Sequence, residues 1–212
     1  NNIFQIYPID LYKSEIKKDF KIVYMSTINL DFDSNKKKFW EENKEKILED
    51  FTIIDNKDFL LSKLSGKNLH EINAYYRAIK LHLRFEIISH LKKRLKDKFL
   101  LIGDDWQKYS FNALNSNYDI KKNKKIYEGN ICLDLGCIEG SSSLYSRSNQ
   151  IIESGGLIVQ SKQMDSNEKW GQLSKHIVFK DFNDLNVVID EIFKDYQNAN
   201  KILEKIYNHF LN

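Results

Sequence analysis

The sequence predicts an α/β chain, a Rossmann-like parallel sheet flanked by helices. Three observations lead there. Short apolar runs alternate with helical patterns along the 212 residues. Those runs are continuously apolar rather than alternating, as strands covered on both faces are. The strongest periodic stretch lies between two of them, where a crossover helix belongs.

The elements follow in order. Lys21, Ile22, Val23, Tyr24 and Met25 make a β-rich run that ends in the polar turn Ser26-Thr27. Asp33 and Ser34 stand where a cap is expected before a helix over residues 36–50. Thr52-Ile53-Ile54 offers a further short strand. From Leu69, the residues Ile72, Tyr76, Ile79, Leu83, Ile87, Leu91 and Leu95 recur at steps of three and four. That spacing predicts a long amphipathic helix with room for one break. Phe99-Leu100-Leu101-Ile102 is a buried strand with Gly103 at its carboxyl end, and residues 111–125 are polar and loop-like. Ile131-Cys132-Leu133-Asp134-Leu135-Gly136 is the next strand. A glycine–serine loop then leads into a helix over residues 144–154, which Gly155-Gly156 stops. Leu157-Ile158-Val159 and Ile177-Val178-Phe179 are strands, and helices over residues 184–196 and 200–211 close the chain.

Composition narrows the function classes. The 33 basic and 30 acidic residues leave a net charge of +3. That balance gives no argument for nucleic acid, which a concentrated basic surface attracts. Arginine occurs only at Arg77, Arg84, Arg94 and Arg147, the other cations being lysine. The lysine runs at 36–38 and 121–125 therefore read as solvated surface. An arginine is more informative, because lysine cannot copy its planar fork. Cys132 and Cys137 lack a second cysteine pair, and His70, His82, His90, His176 and His209 are scattered, so no metal is expected. A reduced, cytoplasmic protein follows from the same cysteine usage. No apolar run approaches the ~18 residues of a membrane span.

In an open parallel sheet, ligands bind beyond the carboxyl ends of the strands. Three polar turns meet that condition: Ser26-Thr27, Gly103-Asp104-Asp105-Trp106, and residues 136–145. The third is the most informative. Gly140, Ser141, Ser142 and Ser143 precede a helix, so backbone N–H groups and hydroxyls gather at its positive end, which favours an anion. Arg147 falls in the first turn of that helix, where a cation opposes the dipole unless an anion or a carboxylate compensates. Each candidate also has a structural alternative. Trp106 can pack a helix against the sheet, and Asp104 and Asp105 can solvate a turn. Arg84 lies inside an amphipathic helix, while Tyr145 and Ser143 can act as caps.

Two family resemblances compete for this segment. Residues 133–140, Leu133-Asp134-Leu135-Gly136-Cys137-Ile138-Glu139-Gly140, resemble the glycine-rich motif of S-adenosylmethionine-dependent methyltransferases. Ile138 replaces the middle glycine of that motif, and Leu157-Ile158-Val159-Gln160-Ser161 lacks the acidic residue that would hold a ribose. The broader resemblance is to the C-terminal, nucleotide-sugar-binding half of GT-B-fold glycosyltransferases, closest to the spore-maturation-glycosyltransferase-like group. It rests on several motifs in order: residues 21–27, the helix segment from Arg84 to Leu91, Gly103-Asp104-Asp105-Trp106, residues 127–135 beginning at Tyr127, Arg147 through Gly155-Gly156, and residues 178–185.

This resemblance implies transfer of a sugar from a nucleotide-diphosphate donor to a glycan or protein acceptor. It implies a leading segment or interdomain connection over residues 1–19 and a donor-binding domain over residues 20–212. An N-terminal acceptor-binding domain would lie outside this chain. Implied donor contacts are Ser26, Thr27, Gly103, Trp106, Tyr127, Gly140, Ser141, Ser142, Ser143, Tyr145 and Arg147. Gln150 stands where the family has the glutamate that holds the ribose, and Glu153, a turn further on, is its candidate substitute. Residues 125–127 would frame the base. No metal or other cofactor is implied, and no catalytic base is identified. A non-catalytic nucleotide-binding or interaction module of the same fold stays open beside these two enzymes.

Overall fold

A computed structural model of the chain describes residues 11–116, 119–138 and 142–211. Five strands form one all-parallel, Rossmann-like sheet: β1 (Ile22–Met25), β2 (Phe99–Ile102), β3 (Ile131–Asp134), β4 (Leu157–Ser161) and β5 (Val178–Phe179). Their spatial order is β2-β1-β3-β4-β5. The chain moves outward from β1 to β2, then returns to the other side of β1 to build β3, β4 and β5. Such a reversal opens a crevice beyond the carboxyl ends of the two strands it separates, here β1 and β3.

Nine helices surround the sheet in the described residues: α1 (Ser34–Glu49), α2 (Lys57–Lys63), α3 (Leu69–Leu95), α4 (Ile120–Tyr127), α5 (Ser146–Glu153), α6 (Ser166–Trp170), α7 (Ser174–Ile177), α8 (Phe182–Lys194) and α9 (Tyr196–Leu211). On one face α3 packs against α1 and is tied to α8 through Arg94, which bonds Asn186 and Asp190. On the other face α5 lies between β3, β4 and α4. No helix among the described residues is long and apolar enough to cross a membrane.

Local chemistry explains most boundaries. Helix α3 runs its 27 residues without the break that the periodicity allowed. Asn68 and Glu71 close its start as a capping box, and Lys92, Lys93 and Arg94 meet the negative end of its dipole. Asp33 caps α1 by accepting from the Lys36 N–H. Two expectations need correcting. Thr52-Ile53-Ile54 is not a strand but part of a 3-10 turn, Phe51–Asp55. The Asp50 carboxylate accepts from both the N–H and the hydroxyl of Thr52 and winds the segment up before it can pair. The polar stretch 111–125 is loop only in part, because Asp119 caps α4. Its lysines face solvent, and only Tyr127 at its end is buried, so the apolar pattern is too thin to announce a helix. Helix α9 also begins earlier than expected, and the short helices α2, α6 and α7 gave no sequence signal.

The described part of the leading segment packs along the amino ends of the strands. Ile16 is buried and its N–H donates to the Asn200 side chain. The Lys17 N–H donates to Gly129 O, just before β3, and Ser14 Oγ donates to Gly155 O, just before β4.

At the carboxyl ends, the turns after β1 and β2 are locked together. The Ser26 N–H donates to Ile102 O and the Ile28 N–H to Asp104 O. Trp106 Nε1 donates to Ser26 O. Gly103 has φ +149°, and a Cβ there would lie 1.9 Å from Ser26 O. Gly103→Ala therefore combines a disfavoured backbone with a backbone clash, and should destabilise by ~3 kcal/mol. The measurement is the midpoint of urea unfolding, with Gly66→Ala, where nothing lies within 4 Å of the new carbon, as the control for φ alone.

Candidate functional site

The crevice between β1 and β3 is organised by one buried carboxylate. Asp134 ends β3 and is fully enclosed. Its Oδ1 accepts from the Gly136 N–H and the Tyr145 hydroxyl, its Oδ2 from the Ser148 hydroxyl and from Gln160 Nε2. Those four bonds saturate the carboxylate, which is what makes its burial affordable. Gln160, on β4, extends the network. Its Nε2 also donates to Ser143 O, and its Oε1 accepts from Trp170 Nε1 at 2.9 Å. Ser143 Oγ meets Ser166 Oγ at 2.9 Å, and Asp165 accepts from the Ser143 N–H and the Ser142 hydroxyl. The loop between β3 and α5 is thus tied at both of its described ends to buried polar groups of β3 and β4.

Two cations hold the same loop from the α3 face. Lys80 and Arg84, one turn apart and both buried, donate to Cys137 O and Gly136 O respectively. Asp55 balances Lys80 at 3.5 Å and accepts from the Tyr76 hydroxyl at 2.6 Å. Burial pulls the Lys80 ammonium below its ordinary pKa, opposed by Asp55. Burial, then the Asp55 hydrogen bond, pushes the Tyr76 phenol well up.

Arg147 sits half-buried in the first turn of α5. Its guanidinium makes no hydrogen bond or ion pair among the described residues. Burial alone would lower its pKa, but the fields of Tyr145, Tyr24, Asp134 and Tyr127 outweigh that and leave it above the ordinary value. At the cap, the Tyr145 hydroxyl donates to Asp134 and the Tyr145 N–H donates to the Ser148 hydroxyl. A cation with five N–H donors and the start of a helix therefore stand at the switch point together.

The other expected contacts divide. Ser26 and Thr27 lie at the crevice, the Ser26 hydroxyl donating to Thr27 O. Gly103 is consumed by its approach to Ser26. Trp106 is fully enclosed, edge-on to Tyr24 and Phe111, so its ring face is a packing surface. Asp104 accepts from the Ser116 N–H, and Asp105 pairs with Lys108. Tyr127 is buried, its hydroxyl against Met25 Sδ at 3.5 Å, and burial raises its pKa. Residues 125–127 belong to α4 rather than to a loop. Gln150 is half-buried one turn beyond Arg147. Glu153 ends α5, one turn beyond Gln150, and faces Lys124 at 3.9 Å. Gly140 and Ser141 lie outside the described residues.

Sequence reasoning passed over Lys80, Asp55, Gln160 and Asp165. A signal existed for two of them. Gln160 interrupts an apolar strand run, and Lys80 shares the buried face of an amphipathic helix with Arg84. Polar groups in such positions are buried with partners. Among the described residues no group of three or more His, Cys, Asp or Glu could hold a metal ion.

No protein-family model, no curated protein and no solved structure matches the chain.

Two predictions test this geometry. In Asp134→Asn, whichever way the amide points, its NH2 faces either the Gly136 N–H or the Gln160 amide donor. The variant should lose ~2 kcal/mol of stability, read from thermal or urea unfolding. Cys132 is enclosed and burial raises its thiol pKa, whereas Cys137 is half-buried. Native protein treated with iodoacetamide should take one label, on Cys137, and two after unfolding, counted by mass spectrometry.

Proposed function

We propose that the crevice between β1 and β3 receives the diphosphate of a nucleotide sugar, and that the chain is the donor-binding half of a GT-B-type glycosyltransferase. In this reading the sugar passes to a glycan or protein acceptor, and an N-terminal acceptor-binding domain lies outside this chain. The observation that carries the proposal is Arg147: a half-buried guanidinium without a hydrogen-bond partner among the described residues, at the head of α5 and at the switch point of the sheet.

The chemistry suits a departing diphosphate. Charge grows on its oxygens as the sugar leaves, and fixed donors stabilise that charge without reorganising. Arg147 and the first N–H groups of α5 supply such donors. The Asp134 network holds α5 and its preceding loop in place, so the donors are set before ligand arrives. Gln150, one turn along, can hydrogen-bond a ribose hydroxyl as a neutral amide. Lys80 and Arg84 support the loop from behind rather than contact the donor, because their bonds go to its carbonyls.

Calorimetry with uridine and guanosine diphosphates, in buffer with a chelator, tests the proposal. One of them should bind, and Arg147→Ala should weaken binding at least tenfold, the loss of one charge-assisted contact of ~1.5–3 kcal/mol. Arg147→Lys should recover part of it. Failure of both nucleotides to bind, or a silent Arg147→Ala, rejects the proposal. Binding of S-adenosylhomocysteine instead would assign the site to methyl transfer.

A further inference from the structure

Two donors of the glycine–serine loop are already taken, and their acceptor is an anion from the chain itself. The Ser143 N–H donates to Asp165 Oδ1 at 2.6 Å, and the Ser142 hydroxyl donates to Asp165 Oδ2 at 3.0 Å. Each carboxylate oxygen holds one donor, as two oxygens of a phosphate would. Asp165 comes from the segment between β4 and α6, so the contact joins neighbouring turns of the carboxyl edge.

The contact differs from the buried bonds around it. No cation pairs with Asp165 among the described residues, and its side chain gives α6 no cap bond. The carboxylate is therefore committed to the loop alone. Ser142 is exposed and Asp165 half-buried, so a solute can reach the contact. Ser143 does not depend on Asp165 for its place. Its carbonyl accepts from Gln160 Nε2 at 2.6 Å and its hydroxyl meets Ser166 Oγ at 2.9 Å, all three residues being fully enclosed. The loop is thus anchored by buried bonds, while the acceptor is held at an open edge.

We propose that Asp165 is an internal anion that closes the β3–α5 loop in the resting chain, and that a diphosphate entering the crevice displaces its carboxylate from Ser142 and Ser143. This rests on the reading of the crevice as a diphosphate site. Carboxylate and diphosphate are acceptors of like charge and cannot share the same two donors. The diphosphate brings more charge and more acceptor oxygens, which favours the exchange. Arg147 keeps its donors in the resting chain, and the loop donors are released only on displacement. Asp165 then weakens anion binding by competition.

Calorimetry on the intact chain, with inorganic diphosphate and with uridine and guanosine diphosphates in buffer with a chelator, tests this. Asp165→Ala should bind inorganic diphosphate at least fivefold more tightly than the wild type. Glu168→Gln, which removes an exposed charge from α6 without touching the loop, should stay within twofold. In the labelled wild type, the Ser143 amide resonance should shift as diphosphate saturates the chain, and this decides the matter if Asp165→Ala does not fold. Equal affinities of Asp165→Ala and wild type, an equal gain in Glu168→Gln, or a stationary Ser143 resonance overturns the proposal. A nucleotide that binds through Arg147 while Asp165→Ala is silent overturns the displacement and leaves the donor reading standing. Tighter inorganic diphosphate in Asp165→Ala with no nucleotide bound supports the displacement and removes the donor reading. No binding of any of the three to either protein overturns both.

Discussion

The placement of one charge governs the carboxyl edge of this protein. Asp134 ends a strand buried on every side, where an unpaired carboxylate would be several kcal/mol out of balance. Its four donors come from four places: the turn after β3, the residue preceding α5, the first turn of α5, and the neighbouring strand β4. Satisfying Asp134 therefore sets the turn, the start of the helix and the register of the two strands together. Gln160 carries the constraint outward to Ser143 and Trp170, so that α6 is joined to the same centre. Tyr145 joins this network to the helix start: its hydroxyl donates to Asp134 and its N–H to the Ser148 hydroxyl.

The opposite side of the loop is held by charge as well. Arg84 and Lys80 both donate to loop carbonyls, and Lys80 also pairs with the Asp55 carboxylate. Asp134 and Arg147 feel each other's field without touching. The edge thus keeps its charges close to balance while Arg147 retains its hydrogen-bonding capacity. That separation of charge balance from hydrogen bonding is what makes Arg147, rather than Arg84, the candidate for an external anion.

Much of the fold was legible in the sequence because parallel strands buried on both faces leave unmistakable apolar runs. Residues 22–25, 99–102, 131–134 and 157–161 were each visible this way, and α3 was visible from its periodicity. Legibility failed where polar side chains, not apolar spacing, determine the backbone. Asp50 winds Thr52-Ile53-Ile54 into a turn although its composition favours a strand, and Asp119 starts a helix inside a lysine-rich stretch. In the site, Arg147 and its helix could be found from the glycine–serine loop ahead of them. The strand order that sets β1 beside β3, and with it the switch point, is a long-range property that no local pattern encodes.

The closeness of Gly103 to Ser26 has a mechanical consequence. The β1–β2 side of the crevice is closed by a backbone contact with no slack, sealed by the Trp106 indole. The β3 side is held by the side-chain hydrogen bonds that converge on Asp134. One wall of the crevice is therefore backbone set against backbone, and the other is side chain set against side chain.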